Sequence, residues 1–403
     1  MENCLNWIFA AQYLLKRAEE SIIMMAKIDK FQQRKRPGRV LLMGETLEPA
    51  GAERQLVTDA TILSRAGWNV ALASWAGGAL ESHLPQEVQV CRLRSSSWAG
   101  RLRSLLSYCM EFRPEVIQSH LTGANMLAAI VGYLLSIPVV VTEHGLGLWR
   151  MNKLRYRVAV KITYLCAKEI QCVCNTTRHI KMSNEHAPLA KTTVVHNCFS
   201  RDSVADGPSG SLLRKDLKIP TDAVVIVFVG RLIDVKRPDL LMVLAQRLLT
   251  ADESTYLIIA GDGPWQIRIR NWSFKSGIRE RVKLIGVSSN MRAVYGAADI
   301  LISTSVREAL SLTLIEAAAS KVPSIAFDVG GNAEVIAANQ TGFLIPFGDT
   351  ESFSTQLINL VGNVNLRHSI GHAARERAES LFSPEVRLNS LETCYYRLAS
   401  IKS

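Results

Sequence analysis

No Cys-x-x-Cys, no Asp-x-Asp and no Gly-x-x-x-x-Gly-Lys-Ser/Thr occurs in the 403 residues. The first absence argues against a zinc ribbon or a redox dithiol. The second removes the carboxylate pair that commonly holds Mg or Mn against a diphosphate, and the third excludes a P-loop. Low-complexity tracts and repeats of solenoid length are missing too. No basic n-region precedes the first apolar run, CLNWIFAAQYLL, so we expect no secretory signal. The uncharged stretch Leu121 to Thr142 is long enough to cross a bilayer. Pro138 interrupts it, and Thr122, Asn125 and Ser136 dilute it, so it reads as a buried helix and the strand after it.

What is present fits a soluble two-domain enzyme: 48% hydrophobic and 21% charged residues. Cys172, Cys174, His196 and Cys198 lie close enough in sequence to suggest a four-ligand metal site, but buried thiols in a reducing cytoplasm account for them without one. Net charge is +11, and residues 1–200 carry +9 of it, with 24 basic against 15 acidic side chains. That asymmetry points the first half toward an anionic surface or acceptor.

From Arg39 onward, strand-like and helix-like runs alternate. RVLLMG reads as a strand, AERQLVTDATILSRAG as a helix ending at Gly67, and NVALASW as the next strand. VQVCRLR, EVIQSH, VVVTEH, EIQCVCN and TTVVHN continue the series. It breaks at CFSRDSVADGPSGS, which has the composition of a linker, and restarts with AVVIVFVG, TYLIIAG, VKLIG, ADILIST and PSIAFD. We therefore expect an α/β chain of two doubly wound, Rossmann-like domains facing across a cleft, with ligands beyond the carboxyl ends of the strands. The expected division is a helical extension over 1–36, an N-terminal domain over 37–200, a linker over 201–213, a C-terminal domain over 214–380, and a last helix over 381–403 packing back toward the N-terminal domain.

In FVGRLIDVKRPDLL a strand ends at Gly230, and Arg231 and Lys236 flank a short loop before Pro238 opens a helix. Two cations at a strand's carboxyl end suit a diphosphate. An isolated Arg-x4-Lys fits two solvated charges equally well, and the strand–loop–helix setting selects the clamp. AGDGPW holds Gly261 and Gly263 but has Gln266 where a dinucleotide fingerprint needs a third small residue, so a tight turn explains it as well.

REALSLTLIE sets Glu308 and Glu316 eight positions apart. On one continuous helix they would be separated by about 12 Å along the axis, a poor fit to the roughly 5–10 Å of a glycosidase pair. With Ser311 or Thr313 as N-cap, the pieces take different roles. Glu308, in the preceding loop, faces the reacting end of a ligand. The backbone N–H groups of Ser311, Leu312 and Thr313 hold a phosphate, and Glu316, one turn in, accepts hydrogen bonds from a ribose diol.

GRLIDVKRPDLL, AGDGP, REALSLTLIEAAASKVPSIAFDVGGNAEVI and TGFLIPFGD together resemble the C-terminal domain of retaining GT-B glycosyltransferases of glycosyltransferase family 4; PAGAER, IQSHL and TEHG extend the resemblance into the N-terminal domain. It covers roughly residues 39–400 in the family's order. The resemblance implies a nucleotide-diphosphate sugar held by the C-terminal domain, with Arg231 and Lys236 on the diphosphate, Glu308 on the sugar and Glu316 on the ribose. It further implies that the loop around Gly51 approaches the diphosphate from the other domain and that His120 reaches the sugar, so His120 and Glu308 are the implied catalytic residues. His144 is an acceptor-side candidate. Two departures concern the N-terminal loop and His120: Ala50-Gly51 replaces the family's frequent Gly-Gly, and Gln118 stands where some members have a second histidine.

With no Asp-x-Asp, we expect no cofactor and no essential metal, the two cations and a helix dipole neutralising the leaving group. The implied activity is retaining transfer to a polysaccharide, lipopolysaccharide or lipid-linked oligosaccharide, in the cytoplasm. A GT-B-fold sugar-nucleotide epimerase and a non-catalytic donor-binding subunit are the alternatives. CRLRSSSWAGRLRSLL and LWRMNKLRYR interleave Arg92, Arg94, Arg101, Arg103, Arg150, Lys153, Arg155 and Arg157 with Trp98 and Trp149. Peripheral contact with the inner face of an anionic membrane and plain solvated helix faces both fit. No nucleic-acid module accompanies the charge.

Overall fold

The computed structural model describes residues 38–145, 154–205 and 207–400. The expected extension over 1–36, and Trp149, Arg150 and Lys153, lie outside them. The N-terminal domain carries strands β1 (Arg39–Met43), β2 (Asn69–Ser74), β3 (Gln89–Arg92), β4 (Val116–His120), β5 (Val139–Glu143), β6 (Glu169–Cys172) and β7 (Thr192–Val194). Helices α1 (Gly51–Arg65), α2 (Trp98–Phe112), α3 (Thr122–Leu134), α4 (Leu154–Cys166) and α5 (Asn175–Asn184) connect most of them. All strands pair in parallel, in the order β3-β2-β1-β4-β5-β6-β7. RVLLM and VVVTE are near-continuous buried runs because helices cover both faces of the sheet.

The C-terminal domain repeats the design with β8 (Val224–Val229), β9 (Thr255–Ala260), β10 (Val282–Gly286), β11 (Ile300–Ser303), β12 (Ser324–Phe327) and β13 (Gly342–Ile345), ordered β10-β9-β8-β11-β12-β13. Its helices are α6 (Gly207–Asp216), α7 (Pro238–Ala251), α8 (Gln266–Lys275), α9 (Met291–Gly296), α10 (Leu312–Ala319), α11 (Asn332–Val335), α12 (Thr350–Gly362) and α13 (Val364–Phe382). A last helix, α14 (Pro384–Ser400), crosses back. Its Leu391, Cys394, Tyr395 and Leu398 complete one N-terminal core with Leu56, Ala60 and Val70. The strand order reverses between β1 and β4 and again between β8 and β11, so the loops after these four strands open into crevices.

The segment expected as a linker, 201–213, is partly helical. From Gly207 it enters α6, whose Arg214 reaches Asp299 (2.7 Å) and the Ala297 carbonyl (3.0 Å). Its Gly-Pro-Ser-Gly start has turn composition, and contacts more than eighty residues away hold it as a helix.

Candidate functional site

After β8 the chain turns at Gly230 into the loop bearing Arg231 and Lys236. Thr304 pins that loop from the next strand, its hydroxyl donating to the Lys236 and Arg237 carbonyls (2.8 and 3.1 Å). Trp265 Nε1 donates to Asp234 at 2.6 Å on the other side. Gly261 has φ +152°, and a Cβ there would come within 1.9 Å of the Gly230 oxygen, so the AGDG turn is a close backbone approach. Arg231 is exposed on the cleft wall. Lys236 is half-buried and donates to Glu308 Oε1 at 2.5 Å.

Glu308 stands in the loop after β11. That loop rests on Gly330 (φ +58°), where a Cβ would meet the Glu308 carbonyl at 1.6 Å. α10 then begins with Ser311 as N-cap, its hydroxyl accepting from the Leu314 N–H (3.4 Å), and the first-turn N–H groups of such a helix have no intrahelical partners. α1 begins opposite, with Ala50 at its N-cap and no side-chain cap. The two helix starts nearly touch: a Cβ on Gly51 would lie 3.9 Å from a Leu312 methyl. Two positive dipole ends thus converge where Arg231 and Lys236 already stand, a strong setting for an anion.

Glu316 sits one turn into α10, buried, accepting from the Tyr295 phenol at 2.8 Å. Burial raises its carboxyl above the usual range, opposed by the Arg54 charge and the Tyr295 hydrogen bond. Gly51, Arg54, His144, Arg231, Lys236, Glu308, Ser311, Leu312, Thr313 and Glu316 all line one cleft of about 600 Å³.

His120 is placed elsewhere. It is 1% exposed and lies behind the wall, its Nδ1 2.7 Å from His144 Nε2. His144 is the histidine on the cleft surface. Burial, then the Arg387 charge, takes His120 down to about 3. Burial followed by the neighbouring His120 also holds His144 well below the usual imidazole range. Both rings are neutral near pH 7, so His144 offers a hydrogen bond and no charge. IQSHL and TEHG place these residues at adjacent strand ends, but local sequence does not tell which ring stands in front.

Three more groups escaped sequence reading. Arg54 lies in PAGAER one turn into α1. Tyr295 comes from α9 and is brought to the site by the carboxylate of Glu316, 21 positions away. Glu334 in GGNAEVI accepts from the Asn175 backbone N–H (3.0 Å) and pairs with His196 Nε2 (3.1 Å). With Cys174 Sγ donating to the Ala309 carbonyl (2.9 Å) and the Thr176 hydroxyl to the Gly330 carbonyl (3.0 Å), it seats the start of α5 directly on the Glu308 loop. The cysteine therefore has a role in domain contact.

Comparison with known proteins agrees with this architecture. The family model described as Glycosyltransferase Family 4 matches residues 49–202, and that described as Glycosyl transferases group 1 matches 211–377. The capsular polysaccharide biosynthesis glycosyltransferase CapM of Staphylococcus aureus is 25% identical over 305 residues, covering 73% of this chain and 80% of that one. The UDP-Gal:alpha-D-GlcNAc-diphosphoundecaprenol alpha-1,3-galactosyltransferase of Escherichia coli is 23% identical over 331 residues, 77% of this chain and 84% of its own. Among solved structures, Anabaena Alr3699/HepE in complex with UDP-glucose superposes with a TM-score of 0.78 at 20% identity, over 88% of this chain and 99% of that one. The two parallel-sheet domains are the GT-B fold, and the chain belongs to the family 4, group 1 glycosyltransferases.

Proposed function

We propose that this glycosyltransferase is a retaining, metal-independent enzyme that moves a sugar from a nucleotide diphosphate to a cell-envelope glycan or its lipid-linked precursor. The observation that carries this reading is that two closely approaching helix N-termini line one cleft together with Arg231, Lys236, Glu308 and Glu316. Glu316 takes the ribose and Glu308 the sugar. The cations and dipoles meet the charge that develops on the departing diphosphate, so no step requires a divalent ion. The departing phosphate oxygen takes the acceptor proton on the face it leaves, which retains the anomeric configuration. His144 faces the sugar–acceptor side, with His120 behind it.

The similar HepE structures are complexes with UDP and UDP-glucose, and the E. coli relative is a transferase to a diphosphoundecaprenol-linked sugar. Uridine diphosphate sugars and polyprenyl-diphosphate sugars are therefore the first donor and acceptor classes to supply. With both present and excess EDTA, we expect product with the donor's anomeric configuration. Donor alone should give at most slow hydrolysis. An epimerised donor without acceptor, or a strict demand for added metal, would replace this reading.

Membrane contact belongs to the same proposal, and of the two basic segments we assign it to the second, whose Arg155 and Arg157 lie in α4. Arg92 is turned inward: it pairs with Glu81 and donates to Ser74 and the Ala76 carbonyl. Arg101 lies 4.8 Å over the Trp75 ring. α4 instead presents Leu154, Val158, Ile162 and Leu165 outward, the first 73% and the last 68% exposed. Their spacing forms one stripe, with exposed Arg155, Arg157 and Lys161 beside it. Such a face fits a bilayer of anionic lipid at about 1 kcal/mol per cation. We expect the protein to float with phosphatidylserine vesicles at low salt and to be released as salt rises. Val158→Glu with Leu165→Glu should abolish flotation. Wild-type protein that ignores such vesicles would assign a soluble acceptor.

A further inference from the structure

β4 ends in Gln118-Ser119-His120, a polar run that is wholly buried. It is joined in one line to α14 on one side and to the cleft on the other. The Tyr395 hydroxyl donates to Gln118 Oε1. Gln118 Nε2 lies 3.3 Å from both His120 Nε2 and the Thr142 hydroxyl. His120 Nδ1 then lies 2.7 Å from His144 Nε2. Each link has a polarity. A buried phenol needs an acceptor, and the one it reaches here is the Gln118 amide oxygen, which turns the amide NH₂ toward His120. An NH₂ group can only donate, so His120 Nε2 accepts and its proton sits on Nδ1.

Asp59 is the competing partner for His120 Nε2, at 3.6 Å. That distance exceeds a hydrogen bond. The Asp59 carboxylate is already engaged by Arg387 Nε (3.0 Å) and Nη2 (2.7 Å) and by Gln55 Nε2 (2.7 Å). The polarity therefore runs outward. His120 Nδ1–H donates to His144 Nε2, and the His144 proton is left on Nδ1.

We infer that Tyr395 and Gln118 are positioning residues that fix His144 as the Nδ1–H tautomer, so that the C-terminal helix decides whether the cleft histidine donates or accepts toward the sugar. The catalytic consequence rests on the reading of the cleft as the transfer site; the tautomer itself does not. A histidine locked as donor can hold a sugar or acceptor oxygen and cannot take a proton from it. That agrees with leaving deprotonation to the departing phosphate.

The test is the ¹⁵N spectrum of histidine-labelled full-length protein, with the His144 and His120 signals assigned by their loss in His144→Gln and His120→Gln. Both rings should be Nδ1–H in the wild type. Gln118→Glu replaces the amide donor with a second acceptor, so His120 should become Nε2–H and His144 should follow, inverting both tautomers. Tyr395→Phe should leave the amide free to turn and give averaged signals. With a working donor and acceptor, Tyr395→Phe should lower kcat about tenfold with donor KM unchanged. A wild-type His144 carrying its proton on Nε2, or a Gln118→Glu variant with both tautomers unchanged, would overturn the inference. If the tautomers behave as stated but kcat does not respond, the relay stands and the role of His144 in transfer falls.

Discussion

Replacing Lys236 or Arg231 by alanine is expected to lower kcat/KM for transfer by roughly 30- to 1,000-fold, equivalent to about 2–4 kcal/mol of transition-state stabilisation, while the chain remains folded. The reason lies in what each side chain holds. Arg231 is exposed on the cleft wall and contributes no core. Lys236 is held through its carbonyl by Thr304, so the loop keeps its course when the side chain is cut back. What is lost in each case is a cation on the wall of the cleft that the two helix N-termini also line, where in the proposed reaction the diphosphate gains its extra charge as the sugar departs. Lys236 also bonds Glu308, so Lys236→Ala and Glu308→Gln should be non-additive when combined, whereas Arg231→Ala with Glu308→Gln should come closer to additive. Near-normal kcat/KM in either single variant would remove the clamp.

The largest effect on stability is expected from Arg387→Met. Arg387 is 1% exposed and comes from α14, 328 positions from its carboxylate partner Asp59 on α1. Besides that two-pronged pair it donates to the Val195 and His196 carbonyls, both at 3.1 Å. Removing the guanidinium leaves a buried carboxylate without its counter-charge and two carbonyls without a donor, a loss of about 3–5 kcal/mol. Trp68 supplies the readout, because its ring lies 5.5 Å from both Tyr395 and Tyr396 and its N–H donates to Glu392 (3.0 Å). In urea, the fluorescence transition of Trp68, followed with the other six tryptophans changed to phenylalanine in both the reference protein and the variant, should move to markedly lower concentration. Asp59→Asn combined with Arg387→Met should recover part of the loss, since the double variant no longer buries a lone charge. An unchanged midpoint in the single variant would mean that α14 is held by its apolar face alone.

Local features were legible without the structure. The alternation of strand-like and helix-like runs records which residues face a core, and each domain's sheet follows from it. A strand ending at Gly230 before a loop with two cations, and a serine positioned to cap the helix that leads to Glu316, are likewise written within a few residues. Their chemistry does not depend on what lies across the cleft. The resemblance, carried into the N-terminal domain by PAGAER, IQSHL and TEHG, extended the reading to Gly51 and the histidines.

Partnership across the chain was decided only by tertiary structure. Strand order places the ends of β4 and β5 side by side, and the packing of α14 behind them puts His144 on the surface and His120 beneath it. Nothing in IQSHL or TEHG encodes that depth. Of the four arginines in CRLRSSSWAGRLRSLL, the folded chain spends the guanidiniums of Arg92 and Arg101 on Glu81, Ser95 and Trp75 and leaves Arg94 and Arg103 exposed. α4, which begins in the second basic segment, turns four apolar residues outward. Periodicity states that a face is apolar; whether protein, solvent or lipid meets that face depends on how many other elements the fold has brought to cover it.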